Sequence, residues 1–377
     1  MSEPIIIGAL RETVAGERRV AVTPDAAKRY QALGAQLLLE RGVGINAFLA
    51  DGSFPSEHFA ASRLEVLRQA DVVLKVQPPD AEELAAMKEG AVLIGLLQPY
   101  SDPERVRTLL KKKITAFAME LLPRITRAQS MDILSSQDTI AGYQCALIAA
   151  NHCPKFFPML TYAAGTIRPA RVLVIGAGVA GLQAIATAWR LGAVVEAYDV
   201  RPETREQVES LGARFVDTGV SAIGAGGYAR ELTDDEKRRQ AEKLGRTVAQ
   251  CDVLITTAAI PGKRAPQIVS ADMVAAMKPG AVVVDMAAEM GGNVAGTVAG
   301  EEVRTENQVL IVGPTHIASR MPMHASEMIA KNLFNFISPF IKEGALTLDW
   351  EDEVLANTCM THAGEIRHAG VKQALGL

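Results

Sequence analysis

At 377 residues the chain is too long for one small core, which sets a prior of two domains. Apolar residues make up 49% and charged residues 22%, enough to fill such cores and too apolar for a disordered chain. The 39 basic and 43 acidic residues leave a formal charge of -4, so the global balance gives no electrostatic reason to bind nucleic acid, although a local basic patch stays open.

The N-terminus, "MSEPIIIGAL", has an acidic residue before a short apolar run, unlike a signal peptide. Strands are expected at "PIIIGAL", "AQLLLE", "DVVLKV", "AVLIGLL" and "ITAFAME", with helical stretches between them, the rhythm of βα units around a parallel sheet. One helix should follow "TPD", where Thr23 caps and Pro24 fits the first turn. "RGVGINA" lacks a third glycine and reads as a tight turn. Next comes "LPRITRAQSMDILSSQDTIAGYQ", far more polar than a connecting loop needs. Ser135 with Asp138 fits a capping box there, and Ile140, Tyr143, Leu147 and Ile148 recur at helical spacing behind it.

A second set of strands is expected at "RVLVIGA", "VVEAYDV", "RFVDT", "DVLITTA", "AVVVDMA" and "VLIVGP". After a break at "GPTHIASRMP", "ASEMIAKNLFNFISPFIKEG" reads as a long helix, and the tail either returns to the first unit or forms a small appendage. No uninterrupted apolar run approaches the roughly 20 residues of a membrane helix, since "LFNFISPFI" is interrupted by polar residues and Pro339. The expected fold class is α/β, with two doubly wound parallel-sheet, Rossmann-like domains joined by long helices around a cleft. The first domain takes residues 1–133 and 317–377, the second 134–316. Cys145, Cys153, Cys251 and Cys359 show no CxxC spacing and read as reduced structural thiols, with no metal site expected.

"RVLVIGAGVAGLQAIATAWRLGAVVEAYDVR" places Gly176, Gly178 and Gly181 as GxGxxG between an apolar strand and a helix. The first glycine permits the turn, the second lets backbone approach a pyrophosphate, and the third lets helix and strand pack closely. Free N–H groups at the helix start then face the anion. Asp199, closing the next strand, is placed for the adenosine ribose hydroxyls and favours NAD over NADP. Arg201 leaves two readings open, a 2'-phosphate contact or a salt bridge. Further on, "GVSAIGAGGYARELTDDEKRRQAEKL" has Gly224, Gly226, Gly227 and Tyr228, then a Thr233–Glu236 capping box. It is either a lid that closes on cofactor or a passive surface loop.

"RETVAGERRVAVTPD", "DVVLKVQPP", the GxGxxG segment and "KPGAVVVDMAAEMGGN" resemble the alanine dehydrogenase and pyridine nucleotide transhydrogenase superfamily along essentially the whole chain. "PRITRAQSMDILSS", "IAGY", "DVRPETREQVESLGA" and "GGYARE" are similar, more specifically, to the NAD(H)-binding α1 components of proton-translocating NAD(P) transhydrogenases. That resemblance implies that Arg124, Gln129, Asp132 and Ser135 surround the nicotinamide end of NAD(H), with Gln129 bridging to NADP(H) held by a partner subunit. It also implies that Val179 sits in the dinucleotide turn, that Asp199, Val200 and Arg201 hold the adenosine ribose, and that Gly227 and Tyr228 belong to a closing lid. Gln240 carries over as a contact residue against a solvated helix face, and Tyr143 as a lining residue against ordinary core packing. Hydride exchange with NADP(H), a homodimer, and membrane-spanning partner subunits that couple proton movement follow from the same resemblance. So does a cytoplasmic location at the inner membrane, held there by those partners.

Alanine dehydrogenases of the superfamily use an arginine, a lysine and a histidine acid/base. Here Arg19 and Lys75 stand at matching positions, but Leu96, Leu97 and Gln98 occupy the region of the histidine, and Glu289 replaces an aspartate. Arg19 and Lys75 therefore read as an ion-pairing remnant. None of His58, His152, His316, His324, His362 and His368 falls in a metal or nucleophile arrangement. Hydride exchange between two nicotinamides needs no proton on a carbon skeleton, so a missing acid/base suits transhydrogenation. An alanine dehydrogenase-like enzyme and a non-catalytic NAD(H)-binding regulator remain the rival readings.

Overall fold

Two seven-stranded sheets account for most of the strands in the computed structural model, which describes residues 3–222, 230, 232–259, 262 and 264–376. The chain divides into two units, one of Met1–Gln137 with Ser319–Leu377 and one of Asp138–Ala318.

In the first unit β1 (Ile6–Ala9), β2 (Gln36–Leu39), β3 (Val72–Leu74), β4 (Val92–Gly95) and β5 (Thr115–Ala118) are parallel, in the order 2-1-3-4-5. Every residue of β3, β4 and β5 is buried, as befits strands covered by helices on both faces. Alternation sends Val72, Leu74, Ile94 and Phe117 to one core and Val73, Leu93, Ala116 and Ala118 to the other. Helix Pro24–Ala32 starts as its sequence dictates, with Thr23 accepting from the Ala26 N–H and Pro24 in the first turn.

The first strands of the second unit, after helix Ile133–His152, form a hairpin, β6 (Leu160–Tyr162) and β7 (Gly165–Ile167). Its sheet contains β8 (Arg171–Ile175), β9 (Val194–Tyr198), β10 (Arg214–Phe215), β11 (Val253–Thr256), β12 (Val282–Asp285), β13 (Glu302–Arg304) and β14 (Leu310–Val312). The order 10-9-8-11-12-14-13 is doubly wound about β8, with only β13 antiparallel. Valines and isoleucines alternate between its two cores, Val172, Val174 and Ile255 on one side and Leu173, Ile175 and Leu254 on the other.

Helix Pro322–Ile337 then packs Ile329, Leu333 and Phe336 into the first unit's core, with the Phe336 ring edge-on to Phe117 at 5.3 Å. A small ribbon, β15 (Ile341–Lys342) and β16 (Ala345–Leu346), precedes β17 (Cys359–His362), which pairs antiparallel with β5 and carries β18 (Glu365–Ile366) on its edge. No described helix is long and apolar enough to cross a membrane.

Candidate functional site

The glycine turn lies at the carboxyl end of β8. Gly176 has φ 97°, a left-handed conformation costly for any side chain, and a Cβ there would stand 2.6 Å from Thr257 Oγ1. A Cβ on Gly181 would lie 1.8 Å from the Gly176 carbonyl oxygen, so helix Val179–Arg190 can pack onto the turn only without one. Gly178 is different. Its φ of -78° suits any residue, and a Cβ there would meet nothing nearer than Arg201 Nη2 at 4.0 Å. Gly178 is also the N-cap and offers no side-chain acceptor to the first N–H groups of the helix. Two of the three glycines are therefore demanded by the chain's own packing, while the third leaves open room in front of a helix N-terminus. Val179, at that helix start, is 41% exposed and so stands outside the core.

Asp199 follows β9 and is buried. Its Oδ2 accepts from the Ala177 N–H at 2.7 Å and its Oδ1 from the Arg201 N–H at 2.9 Å, which ties the end of β9 to the glycine turn. Arg201 closes over the same carboxylate through Nε at 2.9 Å and Nη2 at 2.8 Å. Of its two sequence readings, the salt bridge is formed. A cavity of about 270 Å³ adjoins this corner, lined among others by Tyr198, Asp199, Val200, Pro202, Thr218 and Val220.

Gln240 corrects one expectation. The solvated-face reading fails because the side chain is buried and donates from Nε2 to Tyr198 Oη at 2.9 Å. The charged run on either side concealed this, since helix Asp234–Val248 is buried only at Gln240, Leu244 and Val248. Burial pushes the Tyr198 phenol up, against the pull of its Thr218 and Gln240 hydrogen bonds, so it stays a neutral donor and acceptor. The Thr233–Glu236 capping box is present. Gly224, Gly226, Gly227 and Tyr228 lie outside the described residues.

Sequence reading missed how the loop after β12 is built. Asp285 is fully buried and accepts from Thr256 Oγ1, Thr297 Oγ1 and the N–H groups of Ala287, Asn293 and Val294, all within 3.1 Å. Asn293 in turn holds Ala258 through both its carbonyl and its N–H. An acid ending an apolar strand, followed by "GGN", is the signal that could have found this clamp at the carboxyl edge of the sheet.

The polar segment of the first unit forms a 3-10 turn, Thr126–Met131, ahead of helix Ile133–His152. Here the Ser135–Asp138 capping box gives way to an earlier start. Asp132 Oδ1 accepts from the Ser135 N–H at 3.0 Å, Asp132 Oδ2 from Ser135 Oγ at 2.5 Å, and the Asp132 carbonyl from the Ser136 N–H at 3.2 Å. The stronger acceptor three residues upstream wins, and Ser135 becomes a donor inside the first turn. Ala128 and Met131 are buried, Asn332 and Asn335 both donate to the Ser130 carbonyl, and Arg127 forms a two-bond ion pair with Asp352. Gln129, on this pinned turn, and Arg124, just ahead of it, are exposed. Gln129 makes no side-chain hydrogen bond among the described residues, so its amide remains available. Tyr143 is half-buried in the helix that follows.

Arg19 and Lys75 are both buried and ion-paired. Arg19 holds Glu17 at 2.6 Å, and Lys75 sits 3.0 Å from Glu12 and 3.2 Å from Glu83. Burial works against ionised Glu17, but the Arg19 guanidinium with Gln77 and Ser319 overcomes it and holds the carboxyl at about 2. Burial wins at Glu12, which is pushed up although Lys75 opposes it. Glu12 Oε2 faces the ammonium without the angles of a hydrogen bond. Among the described residues no group of acidic, histidine or cysteine side chains could hold a metal ion.

The models of the alanine dehydrogenase/PNT N-terminal and C-terminal domains match residues 8–141 and 145–369. The first part of NAD(P) transhydrogenase subunit alpha of Rhodospirillum rubrum is 46% identical over 371 residues, 95% of this chain and 96% of that one. NAD(P) transhydrogenase subunit alpha of Haemophilus influenzae is 42% identical and is covered over 71% of its length by 96% of this chain. The crystal structure of transhydrogenase from Sinorhizobium meliloti superposes with TM-score 0.87 at 42% identity, covering 96% of this chain and 99% of that one. An L-alanine dehydrogenase, at 22% identity and TM-score 0.81, shares the fold. With both domain models matched and full-length relatives above 40% identity, the chain belongs to the alanine dehydrogenase/PNT family, on the side of the NAD(P) transhydrogenase α subunits.

Proposed function

We propose that this chain is the NAD(H)-binding catalytic component of a proton-translocating transhydrogenase and exchanges hydride with NADP(H) held by a partner subunit. One observation carries the nucleotide reading: Gly178 has no packing reason to be glycine, yet it opens a helix whose N-terminal N–H groups lack a side-chain cap. A pyrophosphate supplies both the missing acceptor and the reason.

In this reading residues 134–316 form the nucleotide-binding domain, and residues 1–133 with 317–377 form the other. Gly176, Gly178, Val179 and Gly181 receive the pyrophosphate on backbone N–H groups. Asp199, Val200 and Arg201 hold the adenosine ribose, and the Asp199 carboxylate disfavours a 2'-phosphate. Gln240 supports that corner through Tyr198, and Gly227 with Tyr228 cover the nucleotide. Bound NAD(H) supplies the hydride donor or acceptor. Arg124, Gln129, Asp132 and Ser135 orient the nicotinamide end, which matters because transfer needs reacting carbons held about 3–3.5 Å apart. Nothing in this scheme calls for an acid or base near the reacting carbon. That favours transhydrogenation over amination of a 2-oxo acid, for which the ion-paired Arg19 and Lys75 offer no free cation.

The relatives' names as α subunits support assembly with further subunits; in this reading those are membrane-spanning ones and an NADP(H)-binding one, with two copies of this chain in the assembly. The chain then works at the cytoplasmic side of the inner membrane, and membrane subunits couple its reaction to proton movement. The test is to mix the purified chain with a soluble NADP(H)-binding transhydrogenase component and follow oxidation of NADH against reduction of an NADP+ analogue. Rapid exchange only in the mixture is expected. NADH oxidation with pyruvate and ammonia by the chain alone would establish the dehydrogenase reading instead, and NADH binding without exchange would leave a regulator.

A further inference from the structure

Helix Pro322–Ile337 carries Ile329, Leu333 and Phe336 into the core of the first unit, and Asn332 stands in the same stripe. Helical spacing asks for an apolar side chain at such a position. Asn332 is nevertheless buried, and its Oδ1 has no hydrogen-bond partner among the described residues. A buried acceptor left unpaired destabilises the folded state. Leucine has the same branching without the polar atoms, so the fold by itself gives no reason for an asparagine here.

What Asn332 does touch is the turn Thr126–Met131. Its Nδ2 donates to the Ser130 carbonyl at 2.9 Å, and Asn335, three residues further along the same helix face, donates to that oxygen at 3.0 Å. A carbonyl oxygen has two lone pairs, so both are used and the peptide plane after Ser130 is set. On the other side of Gln129, Arg127 grips Asp352 through two bonds of 2.7 and 2.6 Å. Asp352 is itself fixed, because its Oδ1 caps helix Glu353–Thr358 by accepting from the Val354 and Leu355 N–H groups. Ala128 and Met131 are anchored in the core. The holds thus fall on residues 127, 128, 130 and 131 and pass over the Gln129 side chain, which is exposed. The three polar holds, Asn332, Asn335 and Asp352, all come from the C-terminal segment Ser319–Leu377 that completes this unit.

We propose that Asn332, Asn335 and the Arg127–Asp352 pair are positioning residues for hydride exchange. By fixing the backbone on both sides of Gln129, they present its amide to the nicotinamide in one place. This rests on the reading of Gln129 given above and names what makes that residue effective. In the exchange a hydride leaves the dihydronicotinamide ring of NADH and bonds to the nicotinamide ring of NADP+, giving NAD+ and NADPH, with no proton taken up or released. Distance and orientation are then what the protein has to set, and a displacement of about 1 Å in such a step slows it on the order of a hundredfold. The unpaired Oδ1 of Asn332 is the stability given up for that precision.

The experiment compares the full-length wild type with Asn332→Leu, Asp352→Asn, Gln129→Ala and the double variant Gln129→Ala with Asn332→Leu. Asparagine caps a helix as well as aspartate does, so Asp352→Asn removes the ion pair and keeps the helix start, which provides a test even if Asn332→Leu folds poorly. Each chain is mixed with a soluble NADP(H)-binding transhydrogenase component, and hydride transfer from NADH to an NADP+ analogue is followed in a single turnover. Transfer should slow at least about tenfold in Asn332→Leu and several-fold in Asp352→Asn. NADH affinity should stay within about twofold of the wild type, and the urea midpoint of Asn332→Leu should be no lower than the wild type's. If the asparagine acts through Gln129, adding Asn332→Leu to Gln129→Ala should cause no further slowing, whereas losses that multiply independently would overturn the proposal. Hydrogen exchange without nucleotide gives a readout apart from catalysis. The Ala128 and Asp132 amides, bonded to the Ile125 and Gln129 carbonyls, should exchange at least about tenfold faster in both positioning variants. Loosened amides with an unchanged transfer rate would overturn the proposal, as would slowing matched by an equal loss of NADH affinity. A wild type that binds NADH and transfers no hydride would instead overturn the transhydrogenase reading on which it rests.

Discussion

The two units are both built on doubly wound seven-stranded sheets and treat the carboxyl edges of those sheets in opposite ways. In the second unit that edge is left open by the described residues, with a helix N-terminus that has no side-chain cap, a glycine with no Cβ to fill the room, and a cavity beside Asp199. In the first unit the same edge is filled by the chain's own charges. Glu12 follows β1, Lys75 follows β3, Glu83 and Arg63 interlock with them, and Glu17 and Arg19 form a second buried pair. A doubly wound sheet offers a ligand site at this edge by geometry alone. Whether it serves as one depends on whether side chains have already taken the hydrogen bonds and the space. The filled edge should show its worth in stability, and the open edge in ligand affinity.

The sharpest break of that contrast is Lys75→Met. It leaves Glu12 and Glu83 buried beside an apolar side chain, which should cost about 3–5 kcal/mol by urea denaturation. NADH affinity of whatever protein remains folded should be unchanged. Gly181→Ala should cost a comparable amount, about 3 kcal/mol, for a steric reason, because its Cβ would overlap the Gly176 carbonyl oxygen. Equal NADH affinity in Gly181→Ala and the wild type would show that the turn relaxes more freely than its packing implies.

Acid should dismantle the filled edge selectively. Glu17 is held at about 2 against an ordinary 4.5, so its pairing with Arg19 contributes fully above about 4.5. That contribution, on the order of 3 kcal/mol, is lost as pH falls from 4.5 through 2. Glu12 has the opposite sign: its raised value favours the protonated folded form, so lowering pH relieves a cost there. The stability gap between the wild type and Glu17→Gln should therefore narrow as pH falls below 4.5. A gap that stays constant down to pH 2.5 would mean the Glu17 carboxylate is not ionised at neutral pH or not paired.

Tyr198→Phe makes a smaller test at the open edge. It removes the acceptor of the buried Gln240 amide, which should cost about 1–2 kcal/mol and weaken NADH binding several-fold by loosening the wall of the cavity. Gln240→Leu, which removes the stranded amide from the other side, should restore part of the stability. Restoration of affinity as well would show that Gln240 does not act on nucleotide through Tyr198.

Much of this contrast is legible in the sequence, and the failures have physical causes. Continuous apolar runs such as "AVLIG" and "RVLVI" locate the central strands of the two sheets, because strands buried on both faces leave no room for polar residues. The hairpin β6–β7 escapes notice because its strands are short and exposed, without alternation. β13, β17 and β18 escape because they are two to four residues long, and β17, though buried, is a short mixed run, "CMTH", that pairs with β5. The glycine fingerprint is plain as a motif, but spacing cannot tell that Gly178 alone is free of packing demands. Capping goes wrong at Ser135, since a serine and an acid three residues apart look like a box whichever residue the helix starts on. Gln240 is obscured by charge on both sides, one buried amide in a helix otherwise written for water.

The smallest effect on stability belongs to Gly178→Ala, and it discriminates most cleanly. The backbone there has φ -78°, which alanine adopts without strain, and the added methyl reaches no atom closer than Arg201 Nη2 at 4.0 Å. Glycine at an N-cap is slightly better than alanine, so a loss of no more than about 0.5 kcal/mol is expected. If the open space belongs to a pyrophosphate, the same methyl stands where backbone must approach the anion, and NADH titrated by fluorescence should bind at least tenfold more weakly. If the space is only surface, affinity and stability will both stay within error of the wild type. Gly181→Ala in parallel guards against a misleading result, since a fault there unfolds the turn and weakens binding by that route. Only a chain as stable as the wild type that has lost its affinity shows that a glycine is kept for a ligand rather than for the fold.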